Sequence, residues 1–490
     1  MRPFARSILA ALLPRTSCAS QDVGLRIAGF ITGASTSGPT PDECYDVVIV
    51  GGGMPQPITF TPPPVPELRV STVTPGSIAV LQTAGAWEQV AAHSSEFRTM
   101  QVWDTCSPGF IRWDAQETGA GRMGVVAENT LLQASLLDAA QRSGKRTEFV
   151  WPAEVRALRL PTEDGADRTC SRDGGAADGS GSWGVEAGPR PQHGLAELEL
   201  ADGRVLASRL VVAADGAASR IRSMAGLRTW GWGYGQRGLV ATVETAEPSD
   251  TAWQRFLPTG PLALLPLRDG FSGIVWSGPP ELATALERMG PAEFGAAVNQ
   301  ALRDPPTSPL PILGLGQGAG SSSGPLGFLG AALQRWGPAL GGGGGGFQEP
   351  PLVTGWAGAA PRSFPLQLKQ SGRYVLPRLA LVGDAAHAVH PLAGQGVNLG
   401  FGDARVLAEA LAGAVEAGAD PGDAQVLADG YEAPRRRAVL TMVAALDGVK
   451  KAFEVQAAPL AALRGAGLGL INAVGPLRNG IMQYAMMGQA

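Results

Sequence analysis

The chain has 490 residues, 44% of them apolar and 17% charged, a globular composition that excludes wholesale disorder and leaves room for about two to four domains. Lys and Arg number 39 against 43 Asp and Glu, so the net charge of −4 argues against a nucleic-acid binder, which needs a basic stripe to neutralise phosphates. Cys18, Cys44, Cys106 and Cys170 form no CxxC pair, which argues against a disulfide framework or zinc site and for a reducing compartment; no apolar run is long enough for a bilayer span.

Residues 1–21 carry Arg2, Arg6 and Arg15, with no acidic residue before Asp22. An Arg-bearing, acid-free start has the character of a mitochondrial transit peptide; the competing secretory signal would have only Ile8 to Leu13 as its apolar region. The first strand is predicted at Tyr45–Val50, YDVVIV, which runs into Gly51-Gly52-Gly53. Residues 55–66 hold six prolines in twelve positions and cannot be a helix, so local disorder is expected over residues 54–68. A helix is predicted over 129–142, and the polar, Gly-rich stretch 161–194 reads as a loop. Strand signals resume at 195–200 and 206–213, then continue in a β-rich block at 238–244, 261–267 and 273–277. Residues 305–361 are of low complexity and include Gly341–Gly346. A strand at 378–382 follows, then a helix starting near Val397, and the remainder reads as apolar and amphipathic helices.

Three segments carry chemistry. In YDVVIVGGGM, Gly51 and Gly53 occupy the first two places of a G-x-G-x-x-G turn, where the backbone approaches a pyrophosphate. The third place is Gln56, between Pro55 and Pro57, and only fifteen residues separate Gly53 from Arg69, too few for a βαβ unit of about 30. An ordinary buried strand with a glycine turn fits equally well. In Arg209–Arg222, a strand delivers Asp215-Gly216 to a loop followed by Ser219 and Arg222, groups able to bind ribose or phosphate; a strand-end turn with a helix cap is the alternative. In Arg378–Ala404, RLALVGDAAHAVHPLAGQGVNLGFGDA, Gly383-Asp384 sits at a strand's carboxyl end, and Gly394 and Gly396 permit close approach to a flat ligand. His387 and His390 invite a metal reading, but with no cysteine or carboxylate group at ligand spacing they read as orienting the loop, and no metal is expected.

The order of these segments resembles the flavin-dependent aromatic hydroxylases, and HPLAGQGVNLGFGD with AWQRFLPTGPLALLPL is similar to the ubiquinone-biosynthesis branch of that family. The resemblance covers roughly residues 69–160, 195–299 and 374–487. It implies an α/β fold: a Rossmann-like, p-hydroxybenzoate-hydroxylase-like FAD-binding domain, an inserted β-rich substrate domain and a helical C-terminus. Its implied divisions are a transit peptide or disordered start over 1–40, a first FAD-domain segment over 45–230 (damaged at 54–68) and the substrate domain over 235–304. The insert over 305–361, a return to the FAD domain over 362–377, a second FAD-domain segment over 378–430 and C-terminal helices over 431–490 complete them. The FAD-binding residues it implies are Gly51, Gly53, Arg69, Asp215, Gly216, Gly383, Asp384, Gly394, Gln395, Gly396, Val397 and Asn398; no single catalytic residue is implied.

The implied activity is hydroxylation of a polyprenyl-4-hydroxybenzoate ring at C5 with O2, through a flavin C4a-hydroperoxide. The implied electron route is NADPH through ferredoxin reductase and ferredoxin. The implied setting is the matrix face of the mitochondrial inner membrane, held peripherally with other coenzyme Q biosynthesis proteins. The sequence departs from the family where PQPITFTPPPVPEL stands for the first helix and second strand, so a catalytically silent member of the biosynthetic assembly is the alternative. The apolar series Leu460, Leu463, Leu468, Leu470, Ile471, Val474 and Leu477, with Arg464 and Arg478 as cations, reads as a membrane or partner face or as core-packing helices.

Overall fold

In the computed structural model, the apolar run at Tyr45 becomes an inner strand of a parallel sheet. The structure describes residues 27–29, 44–51, 59–107, 109–119, 121–142, 147–161, 168–171, 184–186, 194–304, 346–389, 394–454 and 457–487. The strands used below are β1 (Ile27–Gly29), β2 (Cys44–Gly51), β3 (Val70–Val73), β4 (Gly124–Glu128), β5 (Thr147–Glu148), β6 (Val205–Ala214), β7 (Thr229–Thr245), β8 (Arg362–Ser371), β9 (Leu379–Leu381) and β10 (His387–Ala388). The helices are α1 (Asn129–Arg142), α2 (Arg220–Met224), α3 (Gln395–Glu416), α4 (Ala433–Glu454), α5 (Ala458–Ala473) and α6 (Gly475–Met487).

Strands β9, β6, β2, β1 and β5 lie side by side in that order, all parallel. Consecutive buried residues, Val47-Val48 in β2 and Leu210 to Ala213 in β6, show why: a parallel strand covered on both faces needs an unbroken apolar run. Leu407, Leu411, Leu427 and Tyr431 join the same core. Strand β6 also pairs with Ala196–Leu200, which opens an antiparallel meander through Val155–Leu160, Arg168–Ser171 and Gly184–Glu186. Residues 161–194, expected to be a loop, thus contain two short strands.

The second sheet has nine strands and is antiparallel apart from one pairing, Thr251–Leu257 with Thr99–Asp104. Its core packs Leu239, Trp253 and Trp276 against Phe294, Val298 and Leu302 of helix Pro291–Arg303. Two expected boundaries change here. Residues 362–371 do not return to the first domain; as β8 they pair with β7, because alternate residues of that stretch bury against the second sheet. Val353–Trp356, placed in the low-complexity insert, pairs with β7 as well.

Residues 59–68 are also a correction. Instead of disorder, they form a strap without helix or strand that runs against β4 and the second sheet; residues 54–58 lie outside the described residues. Four prolines at 62, 63, 64 and 66 remove four donors, so the strap offers mainly carbonyls, and the second sheet supplies donors. Arg268 donates to Pro63 O, and Thr242 Oγ1 donates to Pro66 O at 3.0 Å. Buried Glu128 at the end of β4 accepts from Glu67 N at 2.8 Å and from Arg268 Nε at 3.1 Å. Among the described residues no helix lies between β2 and β3, and the sheet position beside β2 is taken by β1, from the segment expected to be a leader.

The C-terminal helices close the far edge of the second sheet. Arg464 Nε donates to Asp104 Oδ2 at 2.8 Å, and Trp113 Nε1 donates to Arg478 O at 3.0 Å. Gly109 and Gly465 touch so closely that a Cβ on Gly109 would lie 2.7 Å from Gly465 O. Both Arg464 and Arg478 are therefore spent on internal ion pairs, with Asp104 and Glu117, and do not face outward as the sequence suggested.

Replacing Arg268 by Ala should release the strap, because it strips donors from Pro63 and leaves the Glu128 carboxylate without its cation. Urea unfolding should report a loss of roughly 2–4 kcal/mol, and limited proteolysis should open a new site within residues 59–68. Unchanged stability and cleavage would show that the strap holds by other means.

Candidate functional site

Strands β9, β6 and β2 end side by side, and their carboxyl ends carry the sequence-predicted residues. Gly51 pairs with Ala214, so close that a Cβ would fall 2.3 Å from Ala214 O. Glycine is needed there for strand packing alone. Asp215 and Gly216 follow Ala214 directly, and Val382 N donates to Ala213 O at 3.0 Å, which places Gly383 and Asp384 at the next strand end. Gly53 lies outside the described residues.

The two oxygens of Asp215 have different fates. Oδ2 accepts from Arg220 N at 2.7 Å and Ile221 N at 3.1 Å, holding the start of α2. Oδ1 is buried with no hydrogen-bond partner. Gly216 has φ +83° and open space around its Cα, so the chain turns there with its backbone uncovered. Buried Arg222, read from the sequence as a possible phosphate binder, is otherwise employed: it donates to Ala217 O at 2.8 Å and to Ala385 O at 2.6 Å. Its guanidinium ties the loop after β6 to the loop after β9. Lys369 of β8 adds a third donor, to Ala217 O at 3.2 Å, and burial, then the charge of Arg222, push its ammonium pKa down.

The turn Gly383–Ala385 is a single 3-10 turn, and Asp384 is its one exposed residue beside buried Ala385, Ala386 and His387. Asp384 keeps part of its surface in solvent, yet desolvation is the first cause that pushes its carboxyl pKa up. The charge of His387 opposes this and that of Asp403 adds to it. His387 does orient the loop by hydrogen bonding, since its Nε2 lies 2.6 Å from Asp403 Oδ2. His390 lies outside the described residues.

Helix α3 begins after Gly394, whose φ of +64° sets the chain's entry angle. Asn398 is buried and fully committed. Its Nδ2 donates to Thr72 O at 2.8 Å and Gly394 O at 3.3 Å, while its Oδ1 accepts from Thr74 N at 3.1 Å. It pins the helix start to the end of β3. Val397 packs on the first core, Gly396 faces open space, and Gln395 contributes the first helical backbone position, its side chain lying outside the description. Arg69 is exposed just before β3, and its carbonyl accepts from Asn129 N at 2.9 Å.

Sequence reasoning missed Asp403, Arg435, Thr72 and Thr74. For Asp403 a signal existed: it interrupts the row Leu399, Leu407, Leu411 at four-residue spacing, and a carboxylate on the apolar stripe of a helix needs buried donors.

A family model described as FAD binding domain matches residues 362–445. The Xenopus tropicalis protein "Ubiquinone biosynthesis monooxygenase COQ6, mitochondrial" is 36% identical over 420 residues, 85% of this chain and 82% of its own length. Its Homo sapiens namesake is 33% identical over 478 residues, covering 92% and 94%. Among solved structures, p-nitrophenol 4-monooxygenase PnpA from Pseudomonas putida aligns with a TM-score of 0.57 at 16% identity, covering 90% of this chain and 91% of its own. Klebsiella pneumoniae HpxO complexed with FAD and uric acid aligns with a TM-score of 0.52 at 18% identity, covering 87% and 89%. These two likenesses show the same fold.

The carboxylates at the two strand ends should differ in stability. Asp215→Ala removes a double cap from α2 and should cost about 1 kcal/mol in thermal or urea unfolding. Asp384 has a raised pKa, so its charged form burdens the folded state above the ordinary carboxylate range, and that burden fades as pH falls towards it. Asp384→Asn should therefore raise the melting temperature at pH 7 and lose this advantage on acidification. A lower melting temperature at pH 7 would contradict the sign.

Proposed function

Because the chain belongs to the family of mitochondrial ubiquinone-biosynthesis monooxygenases, FAD-dependent oxidoreductases of that pathway, we propose that it hydroxylates a polyprenyl-4-hydroxybenzoate ring at C5. The observation that carries this is the meeting of Gly51, Asp215-Gly216 and Gly383-Asp384 at adjoining carboxyl ends of parallel strands, where open α/β sheets bind ligands. The residues present fit a hydroxyl-bearing cofactor: Asp215 Oδ1 is a buried acceptor with no partner, and Asp384 is the one side chain its turn presents outward.

Asp215, Asp384 and the backbone of Gly394, Gly396 and Val397 would hold FAD. Bound there and reduced by an external electron donor, FAD would activate O2 for transfer of one oxygen atom to the ring. The chain's own task is placement. Arg222 fixes the spacing of the two loops, Asn398 fixes the start of α3 against β3, and the positive end of α3 favours negative charge beside it. The strap over residues 59–68 is tied to the second sheet through Thr242 and Arg268.

The implied electron route through ferredoxin and its reductase, and the association with other coenzyme Q biosynthesis proteins, belong to the same proposal. A second reading, a silent member of that assembly, is favoured by the lack of a helix between β2 and β3 among the described residues. Purified chain decides between them. Enzyme should carry flavin in stoichiometric amount and add one oxygen at ring C5 when supplied with reduced ferredoxin, polyprenyl-4-hydroxybenzoate and O2, read by mass spectrometry. A colourless chain that takes up no added FAD would favour the silent reading. Asp384→Ala should weaken FAD binding about ten- to a hundredfold, more than Asp215→Ala, by flavin fluorescence titration.

The proposed site of peripheral attachment, on the matrix face, is the exposed apolar face of α5 and α6. Leu463 is 69% exposed and Leu470 62%, with Val474, Leu477 and Ile481 beside them, whereas Leu468 is buried. No described helix is long and apolar enough to cross a membrane. Changing Leu463, Leu470 and Leu477 together to Ser should abolish co-sedimentation with cardiolipin-containing vesicles without moving the melting temperature. Retained binding would remove this face from the proposal.

A further inference from the structure

We propose that Asp403, with Arg435 behind it, is a positioning residue that braces the Gly383–His387 turn and thereby aims Asp384 at the cofactor. One oxygen, Asp403 Oδ2, accepts from Gly383 N at 2.8 Å and lies 2.6 Å from His387 Nε2. Gly383 precedes Asp384 and His387 follows it by three positions, so a single atom grips both ends of the turn. The other oxygen, Oδ1, accepts from Arg435 Nε at 2.7 Å, and Arg435 Nη2 donates to Leu399 O at 3.1 Å on the same helix as Asp403. All three side chains are buried: 0% exposed for Asp403, 1% for His387 and 3% for Arg435.

The chemistry calls for a carboxylate at this place. Three donors converge on two oxygens, and an amide would turn its NH2 against one of them. Burial by itself pushes the Asp403 pKa up; the charges and hydrogen bonds of His387 and Arg435 outweigh it and hold the carboxyl below its ordinary value. A charged group so enclosed makes the brace stiff, because any movement of the turn strands a buried charge. Two further bonds complete the hold on this segment from other elements: Tyr431 OH donates to Leu381 O at 2.6 Å, and Arg222 to Ala385 O. With its neighbours gripped, the turn leaves Asp384 as the side chain free to face a ligand.

The inference rests on reading Asp384 as a cofactor-holding carboxylate, and the test separates the two. Hydrogen exchange on the purified chain without added flavin reads the brace itself. Asp403→Asn should lower protection of the Gly383–His387 amides at least about tenfold while β2 and β7 keep theirs. Unchanged protection at this turn overturns the proposal. FAD titration then reads the aim through a double-mutant cycle of Asp403→Asn and Asp384→Ala. Asp403→Asn alone should raise the FAD dissociation constant about tenfold, and on the Asp384→Ala background it should add almost nothing, the coupling expected when one residue acts through the other. Additive losses overturn the positioning role in favour of a general structural one. Asp384→Ala with unchanged FAD affinity overturns the reading of Asp384 instead, and the exchange result still judges the brace. Should Asp403→Asn fail to fold, Arg435→Lys keeps the charge but loses the Nε donor, and the same local loss of protection and the same coupling are expected of it.

Discussion

Everything at the site depends on one strand being paired in parallel on both sides. β6 runs beside β2 from Ala207–Cys44 to Ala214–Gly51 and beside β9 from Val211–Leu379 to Ala213–Leu381. Parallel pairing makes all three strands finish at the same edge of the sheet. The turns that follow, carrying Asp215 and Asp384, therefore open at the same edge although the two residues are 169 positions apart in sequence. The second sheet, the strap and the C-terminal helices could change in detail without moving those ends. A shift of one residue in β6 would put it out of register with both neighbours and move Asp215 away from the end of β9.

Those three strands were legible because a strand covered on both faces must be apolar throughout, and the glycines and aspartates that follow it mark where cover ends. YDVVIV, RLVVAA and RLALV each show this, and α1 and α3 were placed within a few residues by their helical periodicity. Other regions were illegible for identifiable reasons. The proline content of residues 55–66 correctly excluded a helix, but not order, since the groups that satisfy its carbonyls, Thr242 and Arg268, lie 176 and 205 positions from their acceptors. Arg464 and Arg478 read as outward cations because their carboxylate partners, Asp104 and Glu117, lie 360 and 361 positions away in the chain. β1 is three residues long, too short to display any period, and it lies within a segment whose composition points to a leader.

The departure at residues 54–68 is a local loss with a local remedy. A dinucleotide fold ordinarily leaves its first strand into a helix and returns in a neighbouring strand. Here the strap leads to β3 instead, and the place beside β2 is occupied by β1, in register from Ile27–Val47 to Gly29–Ile49, with β5 beyond it. Backbone pairing of β2 is thus preserved on both sides, which an inner strand in a buried sheet requires. Among the described residues no helix start follows β2 to offer a pyrophosphate its backbone donors, and the proposed cofactor site accordingly draws on the groups at β6, β9 and α3.

Those groups divide their labour according to how many donors each carboxylate already has. Asp403 is saturated and sealed, and serves as structure. Asp215 is half used, one oxygen holding α2 and the other left as a buried acceptor with no partner. Asp384 is turned outward, with a pKa that burial raises, so its charged form burdens the fold. At Asp403, by contrast, three donors, one of them the Arg435 cation, converge on one carboxylate. This is why the aim of the outward group depends on the buried one: a turn carrying an unfavourable charge would relax away from its position unless its two ends were held from behind.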